Sequence, residues 1–174
     1  MLKFCVLFSG VTGSSKTPIA NYLSIQFNLP ILNNDAIRTE VREDLLVFDE
    51  TEYIKRRNER IEVALKRNKS FIYDASIDRN WIEKTQELNK HGYKYFIISL
   101  DLSKEFLKNI YRAKGSTETE EFLNTKLVEH RNFLKHFSDI VNIHISDDTF
   151  LQRFNITSKV LKEWVENQNS NTKS

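Results

Sequence analysis

The sequence predicts an α/β fold in which a parallel sheet is covered on both faces by helices, and three observations predict it. Five short runs rich in β-branched and aromatic residues (2–8, 30–32, 71–73, 95–100 and 140–145) alternate with amphipathic helical stretches, the order that builds parallel βαβ units. The runs lack polar alternation, as strands buried on both faces do. The chain holds only 4 Gly and 2 Pro, and two of those glycines fall in one short stretch after the first run. Glycine tolerates positive φ and lets backbone approach a ligand, so chemistry is sought in that stretch.

The 174 residues are 40% hydrophobic and 29% charged, with 26 Lys+Arg against 24 Asp+Glu and a formal net charge of +2. That length suits one domain, placed at residues 1–166, with a polar tail at 167–174 expected to fray. Balanced charge excludes an acidic tail and a histone-like basic surface. A lone cysteine, Cys5, excludes an internal disulfide framework and a multi-cysteine zinc site, and it points to a reducing compartment. The apolar run at 4–8 is too short for a signal segment, and no stretch approaches the roughly 20 apolar residues of a membrane span. A soluble cytoplasmic domain is expected, with no membrane partner.

The first strand, 2–8, runs straight into Gly-Val-Thr-Gly-Ser-Ser-Lys-Thr at 10–17. This matches the phosphate-loop pattern G-x-x-x-x-G-K-[ST] at Gly10, Lys16 and Thr17, with Ser15 in place of the last glycine. A helix follows, with Ile19, Leu23 and Phe27 on one face, so strand, loop and helix stand in the order the motif requires. Gly10, Val11, Thr12 and Gly13 would turn the chain around an anion. Ser14, Ser15, Lys16 and Thr17 would present N–H groups at a helix N-terminus, where the dipole also favours negative charge. Lys16 would bridge the β- and γ-phosphates of ATP, and the Thr17 hydroxyl would bind Mg²⁺. Two departures bear on this: Ser15 must accept the backbone geometry a glycine would ease, and Pro18 offers no N–H. The competing reading is a Gly/Ser turn that merely caps a helix; the flanking elements favour the phosphate loop.

After the second strand, 30–32, comes Asn33-Asn-Asp-Ala-Ile-Arg38. An Asp at the C-terminal end of a parallel strand faces the crevice where open α/β sheets bind ligands. Asp35 reads equally as the N-cap of a helix starting near Ala36 or as a general base, with Arg38 beside it gripping an anionic substrate. A helix at 53–70 follows, with Ile54, Ile61 and Leu65 on one face. Its Arg56, Arg60 and Arg67 form a basic stripe without interleaved aromatics, read as a solvated face before a nucleic-acid track. The third strand ends Phe71-Ile-Tyr-Asp74-Ala-Ser, resembling a Walker B strand whose carboxylate holds Mg²⁺.

Trp81 and Trp164 fall on helices and read as packing residues, Cys5 as a small core hydrophobe. The four histidines show no metal-ligand spacing and read as surface or satisfied partly buried residues. The interval 113–119 reads as an exposed loop between two helices. Beyond it, Arg131 reads as a solvated helix residue. After the fifth run, Phe150, Phe154, Leu161 and Val165 share a last helical face.

The order of these pieces resembles the P-loop kinases of the polynucleotide kinase and zeta-toxin group: an N-terminal phosphate loop (Gly10 to Thr17), D-x-x-R after the second strand (Asp35, Arg38), a strand ending D-A-S (Asp74), then an Arg-bearing lid (Arg112). The likeness spans roughly residues 2–145. It implies a P-loop NTPase three-layer sandwich with a five-stranded parallel sheet and a lid at about 113–119. It also implies transfer of the ATP γ-phosphoryl group to a hydroxyl, with Asp35 as general base and Arg112 neutralising charge. Ile77 stands where that group carries Asn, and Lys114 follows Arg112 in place of a second arginine. The acceptor is left open between a nucleic-acid 5′ end, a nucleotide and a small phosphorylated metabolite. A catalytically weak ATP-binding module and an anion-binding structural protein are the alternative classes.

Overall fold

Seven successive buried residues, Phe4–Gly10, form β1 at the centre of the sheet. In this computed structural model, which describes residues 2–171, the chain continues through α1 (Lys16–Phe27), β2 (Ile31–Asn33), α2 (Asn34–Leu45), α3 (Glu50–Lys66) and β3 (Phe71–Ser76). Next come α4 (Trp81–Lys90), β4 (Lys94–Leu100), α5 (Lys104–Ala113), α6 (Glu120–Phe137), β5 (Ile143–Ile145) and α7 (Arg153–Asn171). Single 3₁₀ turns at Ser138–Ile140 and Phe150–Gln152 precede β5 and α7.

All strand pairs are parallel, in the order β2-β3-β1-β4-β5. Alternation along β1 divides the core. Val6 and Phe8 join Ile19 and Leu23 of α1, Leu107 of α5 and Leu161 of α7 on one face. Cys5 and Leu7 join Ile37 and Val41 of α2, Ile61 and Leu65 of α3 and Leu88 of α4 on the other. Each such side chain contributes about 1.5–3 kcal/mol on burial. Trp164 stacks edge-on against Phe4 and Phe96, with centroids 5.6 and 5.5 Å away, and Trp81 meets Tyr95 at 5.3 Å; both tryptophans pack, as expected.

The C-terminal ends of all five strands lie along one edge, and the register sharpens that edge. Between the pairs Val6↔Ile72 and Phe8↔Ser76 the register of β1 and β3 shifts, while β2 still pairs Asn33 with Asp74. The bulge frees Asp74 from β1 and leaves it beside β2.

Several boundaries differ from the sequence expectation. The stretch 140–145 is a strand only at Ile143–Ile145, because Ser138–Ile140 closes a 3₁₀ turn. On α3, Tyr53 takes the buried position and Ile54 is 39% exposed, since the helical phase that buries Ile61 and Leu65 brings the aromatic ring inward. The tail expected to fray is helical over residues 167–171 as the end of α7; residues 172–174 lie outside the described residues. Among the described residues no helix is long and apolar enough to cross a membrane.

Candidate active site

The loop after β1 is shaped by three residues at positive φ: Gly10 at 134°, Gly13 at 78° and Ser15 at 76°. A Cβ on Gly13 would stand 2.7 Å from Tyr111 Cε1, so glycine there admits both the turn and the ring beneath it. Ser15 occupies the left-handed region that the missing glycine would ease. Its side chain makes no capping bond to α1, so the N–H groups of the first helical turn receive no cap from it. Lys16 is buried, and its Nζ donates to the carbonyls of Gly10 (2.9 Å) and Val11 (2.6 Å) and to Ser14 Oγ (3.4 Å). Burial lowers its pKa to about 8 against the pull of Asp78 and Asp74.

Asp74 is likewise buried, and burial raises its carboxyl pKa while the Thr17 hydroxyl, Lys16 and Asn33 hold it down. A carboxylate and a hydroxyl beside a buried ammonium form a hard oxygen donor set suited to a magnesium ion that keeps several waters. The loop geometry and this donor set fit a magnesium-bound triphosphate.

Asn33 joins the start of α2 to Asp74. Its Oδ1 accepts from Ala36 N at 2.8 Å, capping α2, and its Nδ2 donates to Asp74 Oδ2 at 2.6 Å. Asn33 is therefore the N-cap, and Asp35 is left as an exposed first-turn residue of α2. Asp35 and Arg38 line the same cleft as the loop, a space of about 570 Å³. The Arg38 guanidinium lies 4.1 Å from the centroid of the Tyr53 ring, and Arg57 sits 5.6 Å from the same ring. Glu50 approaches Arg38 to 3.8 Å. This wall of the cleft thus sets two guanidinium groups against the Tyr53 ring, with the carboxylates of Asp35 and Glu50 beside them.

Behind the loop lies a network that sequence reasoning missed. Asp78 accepts from Gly10 N and from Ser9 Oγ (2.6 Å), and it meets His130 Nδ1 at 3.2 Å. His130 Nε2 meets Asp101 at 3.0 Å, and Ser99 and His144 also bond Asp101. His130 is buried and satisfied, as one expectation for the histidines had it. No periodicity links residues 9, 78, 101 and 130, so only the fold assembles them.

Gly10, Lys16, Thr17, Asp35, Arg38 and Asp74 converge on one cleft; Arg112 does not. It is exposed and donates to Asn109 Oδ1 at 3.1 Å, because the helical phase of α5 turns its neighbour Tyr111 inward and Arg112 out. Lys114 reaches the loop instead, donating to Gly13 O at 2.8 Å with Ser15 Oγ at 3.5 Å. Tyr111 Oη donates to Thr12 O. The basic stripe of α3 is largely consumed in ion pairs: Arg56 with Asp44 and Glu52, Arg60 with Glu40.

No protein-family model matches this sequence, and a search of the curated proteins finds no match. Solved structures do match. A suggested kinase from Chloroflexus aurantiacus superposes with a TM-score of 0.68 at 14% identity, over 95% of this chain and 97% of that one. A gluconokinase from Sinorhizobium meliloti gives 0.64 at 12% identity, over 98% and 97%. The APS kinase of Mycobacterium tuberculosis, in complex with AMPPNP and APS, gives 0.56 at 12%, over 92% and 98%. The chain shares the fold of these three structures: a five-stranded parallel sheet between helices, here with a glycine-bearing loop after β1.

Proposed function

We propose that this chain is an ATP-dependent phosphotransferase that moves the γ-phosphoryl group to a hydroxyl of a small anionic acceptor. One observation carries the reading: the phosphate loop with its buried Lys16, and the pair Asp35 and Arg38, face each other across a single cleft. The triphosphate lies along residues 10–17, with Lys16 released from the loop carbonyls onto the β- and γ-phosphates. Thr17 and Asp74 would hold a magnesium ion, which would supply positive charge against developing negative charge on the phosphates. Arg38 grips the acceptor's anion and Asp35 takes the proton of its hydroxyl. The acceptor oxygen bonds the γ-phosphorus, the bond to the β,γ-bridging oxygen breaks, and ADP leaves. Lys114 serves as the lid cation that Arg112 was expected to be. Positioning and charge neutralisation supply most of the rate.

The structural neighbours that are a gluconokinase and an APS kinase support a small-molecule acceptor over a nucleic-acid 5′ end. The ion pairs of Arg56 and Arg60 agree, since they remove a phosphate track from α3.

The test is transfer from labelled ATP to sugar acids, sugar phosphates, nucleosides, nucleotides and a 5′-hydroxyl oligonucleotide, by the wild type, Asp35→Asn and Lys16→Met. Transfer to one anionic small molecule is expected, reduced about 10²–10³-fold in Lys16→Met and abolished in Asp35→Asn. ATP bound with equal slow hydrolysis in wild type and Asp35→Asn, and no labelled product, would make the chain a binding module. Label confined to the oligonucleotide would overturn the acceptor class.

A further inference from the structure

His130, on α6, is 3% exposed and carries a carboxylate against each ring nitrogen: Asp78 Oδ2 at 3.2 Å from Nδ1, and Asp101 Oδ1 at 3.0 Å from Nε2. A neutral imidazole has one donor and one acceptor, so only the imidazolium offers a proton to both. The Ser9 hydroxyl spends its proton on Asp78 Oδ1 at 2.6 Å, which leaves its oxygen to accept from Nδ1 at 3.1 Å. Asp78 also receives the Gly10 N–H, at 3.3 and 3.2 Å from its two oxygens. Both oxygens of Asp78 are thereby engaged in holding the backbone where the phosphate loop begins. A continuous path runs from α6, the helix that follows the 113–119 connection, through His130 and Asp78 to Gly10.

We propose that His130 is a positioning residue for the nucleotide site: its imidazolium clamps Asp78, which fixes the Gly10 amide and ties α6 to the phosphate loop. The inference rests on the reading of residues 10–17 as the ATP site. Burial opposes a charge on His130, but the hydrogen bonds and charges of Asp101 and Asp78 outweigh it and push its pKa up to about 9. The groups facing the ring are Ser9 from β1, Asp78 from the segment after β3 and Asp101 from the end of β4. Ser99 of β4 and His144 of β5 act through Asp101, and Lys16 acts through Asp78. Loss of the proton sets a ring lone pair against one carboxylate and releases the clamp.

The primary test needs no variant. In nucleotide-free wild type, the His130 ring-nitrogen shifts and the Gly10 amide shift are followed by NMR from about pH 7 to about pH 10. Both ring nitrogens are expected protonated below about 9, with the Gly10 amide showing a step at that midpoint, distinct from the step near 8 of Lys16, which donates to Gly10 O. ATP affinity is then measured for wild type and His130→Gln, whose amide offers a donor and an acceptor but no charge. Weakening by about 10- to 10²-fold at neutral pH is expected in the variant, with the step of affinity loss near 9 removed and the step from Lys16 near 8 kept. A neutral ring at pH 7, or a Gly10 amide indifferent to the ring, overturns the inference even if ATP binds at the loop. A Gly10 amide that follows the ring in a protein without ATP affinity sustains the link and overturns the ATP reading instead. Should His130→Gln fail to fold, the wild-type titration decides.

Discussion

Ser15 holds φ 76° and ψ 33°, a left-handed conformation that costs an L-residue about 1–2 kcal/mol. Its neighbours hold it there: Lys114 reaches Gly13 O and Ser15 Oγ, and Lys16 ties down Gly10 O and Val11 O. Glycine at this position would relieve the strain at an entropic cost of about 0.5–1 kcal/mol. Ser15→Gly is therefore expected to raise stability by about 0.5–1 kcal/mol and to leave or improve nucleotide affinity. Urea unfolding reads the first effect, and a loss of stability would show that the Ser15 side chain matters more than its backbone. This residue was legible in advance: a motif that asks for glycine and finds serine announces strain. Asn33 was not, since its cap on α2 and its bond to Asp74 depend on the pairing of β2 with β3.

At the scale of elements, α5 shows why the cation that reaches the phosphate loop is hard to assign from sequence. Arg112 and Lys114 lie two positions apart, and successive residues on a helix turn by about 100°. Burial of Leu107 and Tyr111 fixes the phase of α5 and sends Arg112 to solvent. Lys114, at the C-cap, follows the chain back over the phosphate loop. Lys114→Ala is expected to lower kcat by about 10²-fold with little change in the acceptor KM, and Arg112→Ala to stay within about twofold of wild type. Steady-state kinetics on both decide it, and the reverse ranking would return the lid role to the arginine. The other elements were readable to within a few residues, because strands buried on both faces and amphipathic helices leave strong patterns. The exceptions were short: β5 and its preceding 3₁₀ turn carry too few residues to show a period.

For the whole molecule, the buried network of Asp78, His130 and Asp101 joins β1, β4, α6 and the segment before α4, so its charge state bears on global stability. His130 titrates at about 9 in the folded chain against an ordinary 6.5. The imidazolium therefore adds stability that is fully present below about 6.5 and is lost as pH climbs through about 9. The Tm of the wild type is expected to fall more steeply than that of His130→Gln across that interval in thermal unfolding scans. Parallel curves would mean that the ring carries no linked charge. By itself the sequence determined the alternation of strand and helix, the loop after β1, the Asp35 and Arg38 that follow β2 and the Asp74 on β3, because each is a local pattern of spacing, burial preference or turn chemistry. Only the tertiary structure decided which cation reaches the loop, which residue caps α2 and which carboxylate holds Gly10. Those choices depend on helix phase and strand register, which bring residues 9, 78, 101 and 130 within hydrogen-bonding distance and leave no trace in a linear period.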